Sequence, residues 1–81
     1  MRLDKYLKIS RLIKRREAAK EFIEKGYVRL NGKIAKPSNE VKINDMIEIT
    51  SPLGKSIQAK ILEIRMVSTI ENASEMYEVI N

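Results

Sequence analysis

Apolar residues fall first at helical and then at strand spacing along this chain. Leu3, Tyr6 and Leu7 stand at i, i+3 and i+4 in MRLDKYLKI, the stripe of a short amphipathic helix, with Asp4 near its start where a carboxylate suits the helix dipole. Ser10 to Ile13 reads as a bend that sends Leu12 and Ile13 into the core. A second helix is expected from about Lys14 or Arg15 to Lys25, because Ala18, Ala19, Phe22 and Ile23 form a narrow apolar face whose alanines allow close approach. Gly26 stops it, since glycine turns left-handed without a Cβ clash.

From Tyr27 the period changes to two. Val28 and Leu30 alternate with Tyr27 and Arg29, and Asn31-Gly32 is the dipeptide that a tight hairpin turn favours, so Lys33 to Lys36 begins a returning strand. After a Pro37-Ser38-Asn39 loop, Val41 and Ile43 lead to an Asn44-Asp45 turn. Met46 to Thr50 is a strand with Ile47 and Ile49 inward, Ser51-Pro52-Leu53-Gly54 turns the chain, and Ser56 to Val67 alternates at Ile57, Ala59 and Ile61. Ser68 to Glu75 reads as a loop or one helical turn before a last strand, Met76 to Ile80. The order predicts an α+β fold: two short N-terminal helices packed on one face of a small, mostly antiparallel sheet of four to five strands. No repeat or boundary interrupts it, so residues 1–81 are expected to form a single domain, with a motif core at 1–50 and C-terminal strands at 51–81.

Composition narrows the chemistry. Without cysteine or histidine, disulfides, Cys/His zinc sites, thiol nucleophiles and imidazole bases are excluded, and a chain of 81 residues has little room for a deep substrate cleft. No catalytic residue, metal or cofactor is expected. No apolar run approaches the roughly 18 residues of a membrane span, and Lys5, Lys8 and Arg11 interrupt anything resembling a signal peptide, so a cytoplasmic protein without a membrane partner is inferred. Asn72-Ala73-Ser74 matches a glycosylation acceptor that a cytoplasmic chain would not use. Asp45 with Glu48, Glu71 with Glu75, and Ser10 with Lys14 lack the companions that acid pairs or a Ser-Lys dyad require.

Charge changes the picture more. Residues 1–36 hold 12 Lys or Arg against 4 Asp or Glu, and residues 37–81 hold 4 against 7, so a net of +8 lies beside a net of −3. One oriented positive face is implied. Arg2, Lys5 and Lys8 recur every three residues, either as a cationic flank or as solvating charges opposite the buried stripe. Lys14, Arg15 and Arg16 occupy the first turn of the second helix, where the dipole disfavours cations and a phosphate would relieve the repulsion. Arg11 and Lys20 join them by charge and position. Aromatics are scarce, so folded RNA recognised by shape and phosphate geometry fits better than stacked single strands. Charge leaves DNA open, although the second helix offers no clear row of base-reading side chains.

Arg2-Leu3-Asp4-x-x-Leu7, the basic start Arg15-Arg16, Ala19, Ile23, Gly26-x-Val28-x-Leu30-Asn31-Gly32, Pro37-Ser38, Val41 and Asp45-x-Ile47 resemble the S4 RNA-binding domain over roughly residues 1 to 50. The family often has Ser or Thr where this chain has Arg15, and Gly where it has Arg11. The resemblance implies the alpha-L type of two-helix fold, binding structured rRNA or tRNA through the helix pair. Met1 to Lys8, Ser10 to Arg16 and Ala73-Ser74-Glu75-Met76-Tyr77 are closest to the small stand-alone members that serve bacterial ribosome-associated quality control. That branch implies binding of rRNA and peptidyl-tRNA on an obstructed large ribosomal subunit, and support of the partner RqcH in adding a C-terminal alanine tail; separately, no exposed apolar heptad suggests more than a monomer. The alternatives are the heat-shock branch, which binds such subunits without tailing, and a stand-alone targeting module related to RNA-modifying enzymes. Arg2 and Arg16 lead the RNA-binding candidates, followed by Arg11, Lys14, Arg15 and Lys20, with Lys5 and Lys8 at the rim. Asp4 is expected to hold Arg2 or a cation of the second helix, and Asn31 to serve its turn.

Overall fold

Two helices precede five strands in the computed structural model, which describes residues 1–66, 68 and 71–80. Helix α1 is Leu3–Ile9 and α2 is Arg16–Glu24; the strands are β1 Val28–Leu30, β2 Lys33–Ile34, β3 Met46–Thr50, β4 Ser56–Ile61 and β5 Tyr77–Val79, with a 3-10 turn at Ala73–Met76. Every pairing is antiparallel, in the order β2-β1-β3-β4-β5. The α+β expectation holds, with five strands.

The apolar stripe of α1 is fully inside: Leu3, Tyr6 and Leu7 have no exposed surface. They join Ala19 and Ile23 of α2 and Val28, Ile47, Ile49 and Ile61 of the sheet in one core cluster. Burying a side chain of this size stabilises by roughly 1.5–3 kcal/mol. The opposite face of the sheet is polar, since register places Arg29 beside Glu48 and Glu48 beside Gln58.

Helix α1 lacks a side-chain cap. The loop after β2 caps it instead: Leu3 N–H donates to the Asn39 carbonyl (2.7 Å) and Asp4 N–H to the Pro37 carbonyl (3.3 Å), while Val41 N–H returns a bond to Met1 (3.0 Å). Thus the Pro37 to Val41 segment clasps the start of the first helix. Helix α2 ends as its glycine predicts. Gly26 has φ +82°, and its N–H reaches Ile23 at 3.0 Å while Tyr27 N–H reaches Phe22 at 3.0 Å, the two bonds of a Schellman motif. Phe22 and Tyr27 complete it with an edge-to-face contact, centroids 5.4 Å apart.

Boundaries differ from expectation where bonding partners change. The strand expected from Ser56 to Val67 ends at Ile61: the N–H groups of Leu62 and Glu63 both turn to the Met76 carbonyl, at 2.8 and 3.1 Å, and leave the ladder. Val67 lies outside the described residues. Met76, expected in the last strand, belongs to the 3-10 turn that precedes it. The returning strand expected to reach Lys36 stops at Ile34, three residues before Pro37, which has no N–H to offer. No helix among the described residues is long and apolar enough to cross a membrane.

Candidate nucleic-acid interface

Asp4 organises the basic face. It is 2% exposed at the start of α1. Arg2 forks onto it, Nε to Oδ1 and Nη2 to Oδ2, both at 3.2 Å, and the Lys5 N–H donates to Oδ1 at 2.8 Å. Arg16 approaches from α2, its Nη2 3.5 Å from Oδ1. One buried carboxylate therefore holds an arginine from each side of the bend. Both guanidinium side chains stay about half exposed, 51% for Arg2 and 47% for Arg16. Among the described residues Asp4 alone engages these guanidiniums, and the N–H groups it leaves suit bidentate contact with phosphate. Asp4 holds both cations that the sequence offered as alternatives.

The bend brings further charge beside them. Ser10 is buried and turned to the backbone, its hydroxyl donating to the Leu7 carbonyl (3.3 Å) and accepting from the Leu12 N–H (3.5 Å), so it forms no dyad with Lys14. Arg11 takes φ +63°, a left-handed conformation that costs a non-glycine residue roughly 1–2 kcal/mol. This is the position where the family resemblance leads one to expect glycine. A cleft of about 290 Å³ opens here, walled by Lys5, Lys8, Arg11 and Arg16. Ile9 and Met66 supply apolar surface to the same wall, and Ser68 closes it, its hydroxyl donating to the Ile9 carbonyl. Of the eight cations singled out from sequence, four line the cleft and Arg2 joins them through Asp4. Lys14, Arg15 and Lys20 are exposed on α2 or just before it and do not line the cleft.

Met66 and Ser68 were not legible as site residues, since neither carries charge and both lie far along the chain. Asn31 serves its turn as expected: its amide donates to Asp45 (3.1 Å) and its oxygen accepts from the Met46 N–H (2.9 Å). Asp45 also accepts from the Lys42 N–H at 2.8 Å, and Glu48 is engaged by Gln58 at 3.0 Å, so neither forms an acid pair.

The S4 domain model matches residues 1–47, which contain both helices, the clasp and the first hairpin. This chain belongs to the S4 family. Its S4 relatives extend over the whole chain. It is 48% identical over 81 residues, 100% of this chain and 91% of the other, to the RQC P-site tRNA stabilizing factor of Streptococcus pneumoniae. It is 51% identical to the protein of the same name from Listeria monocytogenes, across 99% of this chain and 86% of that one. Among solved structures, the trimeric Heat Shock Protein 15 of Vibrio cholerae superposes with a TM-score of 0.89 at 31% identity, covering 98% of this chain and 80% of that one. The chain therefore shares its branch of the S4 family with the RQC P-site tRNA stabilizing factors. Met66 and Ser68 lie beyond the matched S4 residues, so the cleft joins the family motif to the C-terminal segment.

Proposed function

We propose that this chain binds rRNA and peptidyl-tRNA on obstructed large ribosomal subunits through its helix pair, and so supports RqcH-dependent alanine tailing of stalled nascent chains. The carrying observation is the arginine pair on Asp4, two half-exposed guanidiniums aimed by one buried carboxylate beside three further cations. The name carried by relatives of near-complete coverage supplies the P-site tRNA as partner. The role is positional: Arg2, Arg16, Lys5, Lys8 and Arg11 hold phosphates, with Lys14, Arg15 and Lys20 extending the field. No bond is made or broken by this chain.

The likeness to Heat Shock Protein 15 favours a second reading, subunit binding without tailing. A tagged pulldown from native cells, scored for large-subunit rRNA, tRNA and RqcH, separates the two. The binding-deficient variant must not strand Asp4, because an unpaired buried carboxylate is itself destabilising. Arg2→Ala with Arg16→Ala is therefore combined with Asp4→Asn. Recovery of large subunits, tRNA and RqcH with wild type and their loss with the triple variant is the expected result. Large subunits without RqcH would select the second reading, and equal recovery by both chains would overturn the assignment of this face. Binding should also weaken steeply with salt, since each neutralised phosphate contributes about −0.7 to −0.9 to the log–log slope.

A further inference from the structure

The cleft at the bend is more than a row of cations. Four cationic side chains and two apolar ones share a volume of about 290 Å³, near the lower bound of roughly 300 Å³ for sites that take a whole small molecule. A bare phosphate would use the cations and leave the exposed Met66 side chain against water, while Ile9, 6% exposed, adds only a small patch to the lining. A duplex would present phosphates, 2′-hydroxyls and base edges but no base face, because its bases are stacked. The one part of an RNA that offers both an anion and an apolar face at this scale is a nucleotide whose base has left the stack.

We propose that this cleft receives a single unstacked nucleotide, its phosphate on Lys5, Lys8, Arg11 and Arg16 and its base against Met66 and Ile9. The inference rests on the RNA-binding reading above and names the form of RNA that the site takes: a loop or bulge, where extrusion costs least. Residue chemistry fits each half. Guanidinium planes stack on bases as well as binding phosphate, and a methionine thioether contacts aromatic rings favourably. Met66 is 67% exposed, so its thioether is open to a ligand seated in the cleft. Ser68 bonds the Ile9 carbonyl and so ties the C-terminal segment to the end of α1, which keeps the apolar side of the cleft beside the cationic one. Because the two sides come from residues 5–16 and from Met66 and Ser68, the site exists only in the folded chain.

The test is a titration of the full chain, carrying ¹³C-methyl methionine, with adenosine 5′-monophosphate, ribose 5-phosphate and inorganic phosphate in turn, followed by NMR. Adenosine monophosphate is expected to move the Met66 methyl upfield through the ring current and to half-saturate at a concentration at least five-fold below that of ribose 5-phosphate. Met66→Ser, at an exposed position, should bring adenosine monophosphate down to the ribose 5-phosphate level and leave ribose 5-phosphate unchanged. Equal half-saturation by the two ligands, or an unmoved Met66 methyl, would reduce the site to a phosphate sink and overturn the proposal. Sedimentation of wild type with large subunits separates the readings. If it persists while adenosine monophosphate is ignored, only the nucleotide site falls; if wild type does not sediment at low salt, both fall.

Discussion

The helical face and the outer face of the sheet handle charge in opposite ways. On the sheet, Arg29 lies 3.9 Å from Glu48, and Gln58 donates to the same carboxylate. Beyond β4, Arg65 is shared between Glu63 and Glu75. On the helices, Lys5, Lys8, Arg11, Lys14, Arg15 and Lys20 have no ion-pair partner among the described residues, and Arg2 and Arg16 divide one carboxylate between them. A side chain whose charge is matched one for one within the fold gains little from an outside phosphate, whereas two guanidiniums sharing one carboxylate keep a net positive charge for it. One whose charge is unmet gains the whole contact. Location of unmet charge, rather than total charge, is what marks the interface.

The largest effect should come from testing that contrast directly. Removing the arginine pair as Arg2→Ala, Asp4→Asn, Arg16→Ala is expected to cost about 100-fold in affinity for large subunits, two charge-assisted contacts of roughly 1.5–3 kcal/mol each being lost with some overlap. Arg29→Ala with Glu48→Ala on the sheet should change it by less than about two-fold, as befits an exposed pair. Quantitative sedimentation at fixed salt measures both, and equal losses would break the comparison.

Stability probes sharpen it next. Asp4→Ala strands two guanidiniums that are half in water, so a loss of about 2 kcal/mol is expected in urea unfolding, below the 3–5 of a fully buried pair. Tyr6→Phe should cost about 1 kcal/mol, since the Tyr6 hydroxyl donates to the Met76 carbonyl at 2.8 Å, while that carbonyl keeps its bonds from Leu62 and Glu63. Burial pushes the Tyr6 phenol above its ordinary range, and charge on Tyr77 and Glu63 adds to the shift. The fold thus favours the protonated form. Its contribution is complete below the unfolded phenol pKa of about 10 and declines as pH rises beyond it. Wild type should destabilise above that pH, and Tyr6→Phe should show a shallower decline in the same melting series.

The smallest effect is the most specific. Arg11→Gly relieves a left-handed backbone and should stabilise the chain by about 0.5–1 kcal/mol, while weakening subunit binding a few-fold through loss of one cation. Stability and binding moving in opposite directions would show that strain is retained for charge. A fall in both would remove Arg11 from the interface.

Much of this was legible because local chemistry and tertiary packing agree. The Leu3, Tyr6, Leu7 stripe, the Gly26 stop and the Asn31-Gly32 turn each announce themselves by period or by positive φ, and all three stand as expected. What was not legible depends on partners distant in sequence. Nothing near Ile61 says that its strand ends there, because the end is set by where the Met76 carbonyl lies. The absent side-chain cap of α1 likewise makes sense only when residues 37–41 fold over it. In the site, the cations could be read one by one, but the apolar side of the cleft could not, since Met66 gives no signal of its distant neighbour Ile9.

The Tyr6 hydroxyl bond to the Met76 carbonyl spans 70 residues. Its consequence concerns timing. Part of what secures helix α1 lies far along the chain, because the hydroxyl of its central side chain bonds a carbonyl just before β5. A short helix of seven residues does not hold its shape alone in water. Apart from its packing partners the cationic segment would therefore be an unstructured basic stretch. Contacts of such long separation slow folding, and the cationic face takes its final shape only as they form.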